Sequence, residues 1–371
     1  MRLTIGKPGL AKALAHVASV VERRNTIPIL SNVLLVAGAN ALRLTATDLD
    51  MEVVETIDCT TSEDGAVTVP AHMFNDIVRK LPDGDISFEH DAKQERLVIT
   101  SGPAQFSLQT LPADDFPALS VENLDYAFTL PAGDLKRLIE KTSFAISTEE
   151  TRYYLNGIYL HEAETDGSAT LRAVATDGHR LAQVEMALPS GASGMPGVIV
   201  PRKTVSDLLR LVEDEDLEVR IELSSSKIRV SAGHVVLTSK LIDGTFPDYG
   251  RVIPQGNDKR LELDNSTFEQ AVDRVSTLSS DKGRAVKLAL SEDKLTLSVN
   301  NPDSGSATEE LAVAYALDPL EIGFNARYLL DISKHLESES AEFLFAGPGS
   351  PTIVRDVKDT STLYVLMPMR V

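Results

Sequence analysis

Two short stretches hold the side chains with the most chemical reach. In "VATDGHRL", Asp177 and His179 stand two residues apart, and a carboxylate so placed can orient an imidazole as a general base. In "TATDLDME", Asp48, Asp50 and Glu52 alternate; on a strand this puts three carboxylates on one face, where they offer oxygen ligands to a divalent cation. Each has a plainer reading: a tight turn at Asp177-Gly178 with a structurally bonded His179, and a solvated strand face. The residues favour the plainer ones. No activated Ser or Cys accompanies the dyad, and "VATDGHRL", a near copy of "TATDLDME", has His179 and Leu181 where the other has Asp50 and Glu52, so the two copies share no metal site. Cys59 is the one cysteine, which excludes an intrachain disulfide and a cysteine-based zinc site. Neither a P-loop nor a G-x-G-x-x-G stretch occurs. No cofactor and no metal are expected.

Two further stretches point to binding. "TRYYLNG" (151–157) sets Arg152, Tyr153 and Tyr154 side by side, able to stack on bases or bond phosphates, or simply to start a strand with one ring buried. "STLYVLMPMRV" ends the chain on Val365, Leu366, Met367 and Met369. It reads as a core strand closing the last sheet, or as a strand whose alternate residues border a groove, where methionine adapts to partners of different shape.

The elements that carry these stretches come in repeats. "LTIGKPGLAKALAHVASVVE", "FTLPAGDLKRLIEKTSFAIS" and "LELDNSTFEQAVDRVSTLSS" each read as a short strand, a cap and a helix. Leu10, Leu14, Val17 and Val21 share one helical face in the first; Phe268, Val272, Val275 and Leu278 do so in the third. "VTVPAHMFNDIVRKL", "VIVPRKTVSDLLRLV" and "IGFNARYLLDISKHL" form a second such series, each followed by an acidic turn and alternating strands. The 371 residues therefore divide into three docked units, 1–122, 126–253 and 257–371. Each has two strand–helix–strands halves. The fold class is α+β, with helices on one face of antiparallel sheets.

The net charge of −19 argues against a nucleic-acid partner when taken whole, but its distribution does not. The six helical segments 7–24, 70–80, 132–141, 201–210, 265–284 and 325–335 hold 17 basic and 9 acidic residues. Helix preference alone would favour Glu as much as Lys. A basic lining with an acidic exterior suits a protein that surrounds a polyanion. No signal-peptide core and no stretch of membrane-spanning length is present, so a cytoplasmic protein is expected.

"IPILSN", "TATDLDME", "LPADDFP", "RYYLNG", "VATDGHRL", "IVPRK", "TSKLIDGTFPDY" and "YVLMPMR", in this order and spacing, resemble the family of bacterial DNA polymerase III β sliding clamps from the first strand to the last residue. The resemblance implies a non-catalytic head-to-tail homodimer, a ring closed around duplex DNA that tethers the replicative polymerase and is opened by a separate clamp loader. It implies DNA contacts at Arg24, His72, Glu149, Tyr153 and Tyr154, with Arg202 and Lys203 as further candidates. His72 stands where relatives can carry arginine, and Glu149 where glutamine can stand. It implies a pocket for partner peptides, including those of other polymerases and repair or regulatory proteins. That pocket is formed by Leu155, Thr176, Gly178, His179, Arg180 and Leu181, continued by Pro247, Arg251 and Val252, and finished by Val365, Met367, Pro368, Met369 and Arg370. It implies a dimer seam in which Phe106 and Leu108 of one chain meet Leu278 of the other, beside the polar Thr277. A hydrolase using Asp177 and His179, and an assembly protein that binds no DNA, are the competing readings.

Overall fold

The computed structural model describes residues 1–370 except 120–123, 213 and 280–283. The end of the first expected unit, at 122, and residues 280–283 of the helical segment 265–284 lie outside this description. Six α-helices are described: α1 (Lys7–Ala18), α2 (Ala71–Lys80), α3 (Ala132–Ser143), α4 (Arg202–Leu211), α5 (Asn265–Ser276) and α6 (Ala326–Ser333). All sheet pairings are antiparallel. The helical faces read from the sequence are buried, with Leu10, Leu14 and Val17 on α1 and Phe268, Val272 and Val275 on α5; α2 buries Phe74 and Val78.

Two helices are shorter than the apolar pattern predicts. α1 stops at Ala18, where the Ser19 hydroxyl bonds back to the His16 carbonyl, so Arg23 and Arg24 lie in the loop beyond it. The hydroxyls of Ser276 and Thr277 both donate to the Asp273 carbonyl at the end of α5. In each case a short polar side chain competes with the helical ladder for a carbonyl.

The chain forms two compact units, and these do not coincide with the repeats. One comprises Met1–Lys136, Pro189–Pro196 and Lys203–Leu241; the other comprises Arg137–Leu188, Gly197–Arg202 and Ile242–Val371. The cause is strand pairing. In the first unit, Val235–Lys240 pairs with Met51–Asp58, joining four strands of the second repeat to four of the first in one eight-stranded sheet. In the second unit, Arg180–Ala187 pairs with Thr362–Leu366 and joins the other half of the second repeat to the third in the same way. Each unit adds a smaller sheet. The first unit's five-stranded sheet ends on the edge strand Ala104–Gln109; the second unit's four-stranded sheet ends on the edge strand Gly305–Ala312.

The loop that leads into Thr362–Leu366 is held by Asp359. Its carboxylate accepts from the Ser361 amide (2.9 Å), the Ser361 and Thr362 hydroxyls (both 2.6 Å) and the Arg137 guanidinium (2.7 Å). Burial alone would raise the carboxyl's pKa, but these hydrogen bonds and the Arg137 charge outweigh it and bring it down to about 2. A carboxyl depressed in the folded state adds stability above its unfolded pKa, and that stability is lost as pH falls from about 4 towards 2. Asp359→Asn should therefore cost about 2 kcal/mol in urea unfolding at pH 7. The gap to wild type should close near pH 2; a gap that stays constant down to pH 2 would exclude this role.

Candidate functional site

The repeated Thr-Asp stretch folds the same way twice. Thr176 Oγ1 donates to the Arg180 carbonyl (2.7 Å) and accepts from the Gly178 amide (3.1 Å), while Asp177 Oδ1 accepts from the amides of His179 (2.9 Å) and Arg180 (3.0 Å). In the first copy Thr47 bonds the Met51 carbonyl and the Leu49 amide, and Asp48 Oδ1 accepts from the amides of Asp50 and Met51. Threonine and aspartate thus fix the turn through side-chain bonds to the backbone. Both turns need a left-handed third residue, Leu49 at φ 76° and Gly178 at φ 87°. They differ in what lies above: a Cβ on Gly178 would sit 2.6 Å from Arg152 Nη1. The left-handed backbone favours glycine, and a larger residue would also push the Arg152 guanidinium off the turn.

This geometry replaces the expected strand face of carboxylates with a turn, and it forms the expected tight turn at Asp177-Gly178. Asp48 and Asp50 belong to the turn, and only Glu52 lies on the strand Met51–Asp58, so the three acids do not share a strand face. Asp48 is paired with Lys203, and Asp50 with Lys240 at 2.9 Å. The supposed dyad is also not formed. Asp177 accepts from its own turn and, through Oδ2, from Arg180 Nε at 3.1 Å, while the His179 ring stacks near Tyr328 at 6.3 Å. Among the described residues no group of three or more His, Cys, Asp or Glu side chains could hold a metal ion.

Beside the second turn lies a cavity of about 260 Å³. Leu155, Leu181 and Val365 belong to the buried cluster behind it, with Val174, Ile199 and Phe246. Thr176, Gly178 and Arg180 come from the turn, and Pro247 and Val252 from the loop after residue 242. Met367 closes the rim; it is half-buried, and its amide donates to the His179 carbonyl at 2.9 Å. These nine expected residues, drawn from four distant stretches, meet in one place. The strand pair Leu181↔Val365 is what brings the turn and the chain end together.

The charges around the cavity are already matched. Arg180 is buried, with its guanidinium bonded to Asp177, Asp331 (2.6 Å) and the Phe144 carbonyl, and set over the rings of Phe144 and Tyr328. Arg152 bonds both carboxylate oxygens of Glu149, at 2.8 and 2.7 Å, and the Asp177 carbonyl. That hydrogen bond holds the Glu149 carboxyl below its usual pKa.

Some expected members lie elsewhere. His179 and Arg251 are not in the lining, and Arg251 pairs with Asp248 at 2.8 Å. Pro368, Met369 and Arg370 line a separate concavity with Leu320 and Ile322, where the Met369 amide donates to Gly323. Conversely, Arg152, Tyr154, Asp248 and Tyr249 line the cavity without having been expected there. Asp248 and Tyr249 stand between Pro247 and Arg251 in sequence, and Arg152 and Tyr154 just before Leu155, so neighbourhood was the available signal.

The expected DNA contacts divide. In the first unit Arg24 is exposed, His72 Nε2 bonds the Val21 carbonyl at 2.8 Å, and Lys203 is neutralised by Asp48 and bonds the Val20 carbonyl. In the second unit Tyr153 is 53% exposed and meets Tyr154 edge to face, Arg202 is exposed, and Glu149 is committed to Arg152. Of the expected seam residues, Phe106 is exposed at 38%, Leu278 is half-buried, and Leu108 is already buried within its own sheet.

Comparison with known proteins agrees with this architecture. Models of the DNA polymerase III beta subunit match the chain three times: the N-terminal domain over 1–120, the central domain over 129–248 and the C-terminal domain over 250–370. The chain is 54% identical to a beta sliding clamp of Caulobacter vibrioides and 43% identical to that of Escherichia coli, each over the full length of both proteins. Among solved structures, the sliding clamp of Bartonella birtlesii bound to griselimycin superposes with a TM-score of 0.97 at 54% identity, covering all of both chains. The chain belongs to the DNA polymerase III beta subunit family, the beta sliding clamps.

Proposed function

We propose that two copies of this chain close head to tail into a ring around duplex DNA and tether replication and repair proteins to it, through short peptides that enter the cavity beside Met367. The three clamp domains are assigned to 1–122, 126–253 and 257–371. The ring does no chemistry of its own and uses no cofactor. It works in the cytoplasm; among the described residues no helix is long and apolar enough to cross a membrane.

One observation carries the ring. Inside the chain, a strand that follows a Thr-Asp turn pairs twice with the last strand of a neighbouring repeat: Met51–Asp58 with Val235–Lys240, and Arg180–Ala187 with Thr362–Leu366. The third repeat's counterpart of the first member is the edge strand Gly305–Ala312. The first repeat's counterpart of the second is the edge strand Ala104–Gln109. Each chain so has one free edge of each kind. A heterologous contact of this sort closes into a ring when the rotation permits. Phe106, exposed on its edge, then gains burial against Leu278 of the partner, while Leu108 supports the strand from within.

Burying a large apolar side chain contributes about 1.5–3 kcal/mol, and a two-seam ring counts it twice. Phe106→Ala should therefore shift micromolar protein from dimer towards monomer in light scattering, with its melting temperature little changed. An unchanged dimer would remove this seam.

A closed ring needs only weak phosphate contacts, here from Arg24, Arg202 and Tyr153. Direct affinity should be modest and fall steeply with salt. Rings loaded on closed circular DNA by a clamp loader with ATP should nonetheless survive high salt and leave once the circle is cut. Retention that ignores linearisation would exclude encirclement.

The cavity fits a peptide with Leu or Phe anchors, because its floor is apolar and its cations are neutralised. Met367→Asp should weaken binding of such a peptide roughly 10- to 100-fold, with melting temperature and dimer mass retained because Met367 is half-buried at the rim. Unchanged affinity, or affinity lost only together with the fold, would take Met367 out of the site. A variant that binds no peptide should also fail to stimulate a polymerase on a primed circular template. That assay separates the clamp from a mere assembly protein.

A further inference from the structure

Tyr249 forms one wall of the cavity, and its hydroxyl sits at the centre of a hydrogen-bonded row. Arg172 Nη1 lies 3.0 Å from it and His161 Nε2 2.9 Å from it. His161 and Arg172 face each other directly across neighbouring strands, and Arg172 in turn faces Glu185. Arg172 also bonds Glu185 (2.9 Å) and Thr165 (2.7 Å).

The proton positions follow from donor and acceptor chemistry. Arg172 can only donate. His161 Nδ1 lies 2.7 Å from the Glu162 carbonyl, which can only accept, so Nδ1 carries a proton. In the neutral ring Nε2 is then an acceptor, and it takes the Tyr249 proton. The Tyr249 oxygen in turn accepts from Arg172, so every group is satisfied. Protonation of Nε2 would reverse this. Two cationic donors would point at one hydroxyl, the tyrosine proton would lose its acceptor, and an imidazolium would face a guanidinium across the sheet. The titratable and charged groups facing the ring are Tyr249, Arg172 and, beyond it, Glu185; Tyr159 stacks on it at 4.5 Å. Tyr159 also stacks on Phe246 at 4.8 Å, so the same aromatic column anchors the loop that carries Pro247 and Val252.

We propose that His161 is a positioning residue for the peptide pocket: as a neutral acceptor it holds Tyr249 in the wall, and peptide affinity falls when it is protonated. This rests on the reading of the cavity as a peptide pocket. Burial lowers the His161 pKa; the Glu162 carbonyl opposes that shift and Arg172 adds to it, so the loss falls below the ordinary histidine range. The sign follows from linkage: binding favours the neutral ring, so affinity holds at high pH and weakens as pH drops through the imidazole's pKa.

The test titrates a labelled hexapeptide with Leu and Phe anchors and no ionisable group against the full-length dimer from pH 8 to pH 5. Thermal melting checks the fold at each pH. Wild type should hold its affinity at high pH and weaken progressively towards pH 5, heading for the roughly tenfold loss that one rearranged hydrogen bond is worth. His161→Gln keeps an acceptor without a titrating charge and should bind as wild type at pH 8 and lose the slope. His161→Phe keeps the stack without the acceptor and should bind roughly tenfold more weakly at pH 8. A flat wild-type profile, a slope that survives in His161→Gln, or wild-type affinity in His161→Phe overturns the proposal. A surviving slope would assign the titration to another group. No binding at pH 8 overturns the pocket reading itself and this proposal with it.

Discussion

The pairing of Arg180–Ala187 with Thr362–Leu366 is the constraint on which the rest of the second unit depends. It joins residues 178 to 186 positions apart, so a long loop must be closed before the pair gives anything back. Once formed, it does three things. It merges two half-repeats into one sheet, it buries Val365 beside Leu181, and it delivers Met367 to the carbonyl of His179. The Arg137–Asp359 cluster holds the chain just before that strand, and Arg180 clamps the turn just before its partner. The cavity is what remains between the two clamped ends.

That cavity is apolar in effect although three charged side chains, Arg152, Arg180 and Asp248, line it. Arg180 is neutralised by Asp177 and Asp331, and Arg152 by Glu149. Removing a charge from water costs several kcal/mol unless a partner and further hydrogen bonds replace the lost solvation. Here carboxylates, backbone carbonyls and ring faces supply them. The guanidinium groups therefore act as rigid walls, and an entering ligand meets leucine, valine, proline and methionine surface. Small polar gatekeepers around an apolar floor are the usual composition of a site that selects by shape.

Much of this was legible in the sequence, and the illegible part has a physical pattern. Strand–helix phrases, the helix faces of α1 and α5 and the four stretches lining the cavity could be read because they are local: period 3.6, period 2 and a few turn residues. Partnership was not legible. A period-2 strand states which face is buried and says nothing about which strand lies beside it, so the sheets that cross repeat boundaries went unforeseen. Charge misled in the same way. The excess of Lys and Arg in the helical segments looked like an open basic surface, yet Lys7, Arg137, Lys141, Lys203, Arg210 and Arg274 each pair with a carboxylate. Composition counts cations; only contacts tell which are still available. Glu149 is the sharpest case, an expected DNA contact that the structure commits to Arg152.

The shared sheets also decide what can be taken apart. A repeat excised at its sequence boundaries would carry a raw edge where Met51–Asp58, Val235–Lys240, Arg180–Ala187 or Thr362–Leu366 used to be paired. Each mixes aliphatic with polar residues and would leave unpaired backbone donors and acceptors open to another strand. The second repeat would expose two such edges at once. Modularity here is a property of the sequence and not of folding: the repeats share their sheets, and cutting one free would open paired strand edges to self-association.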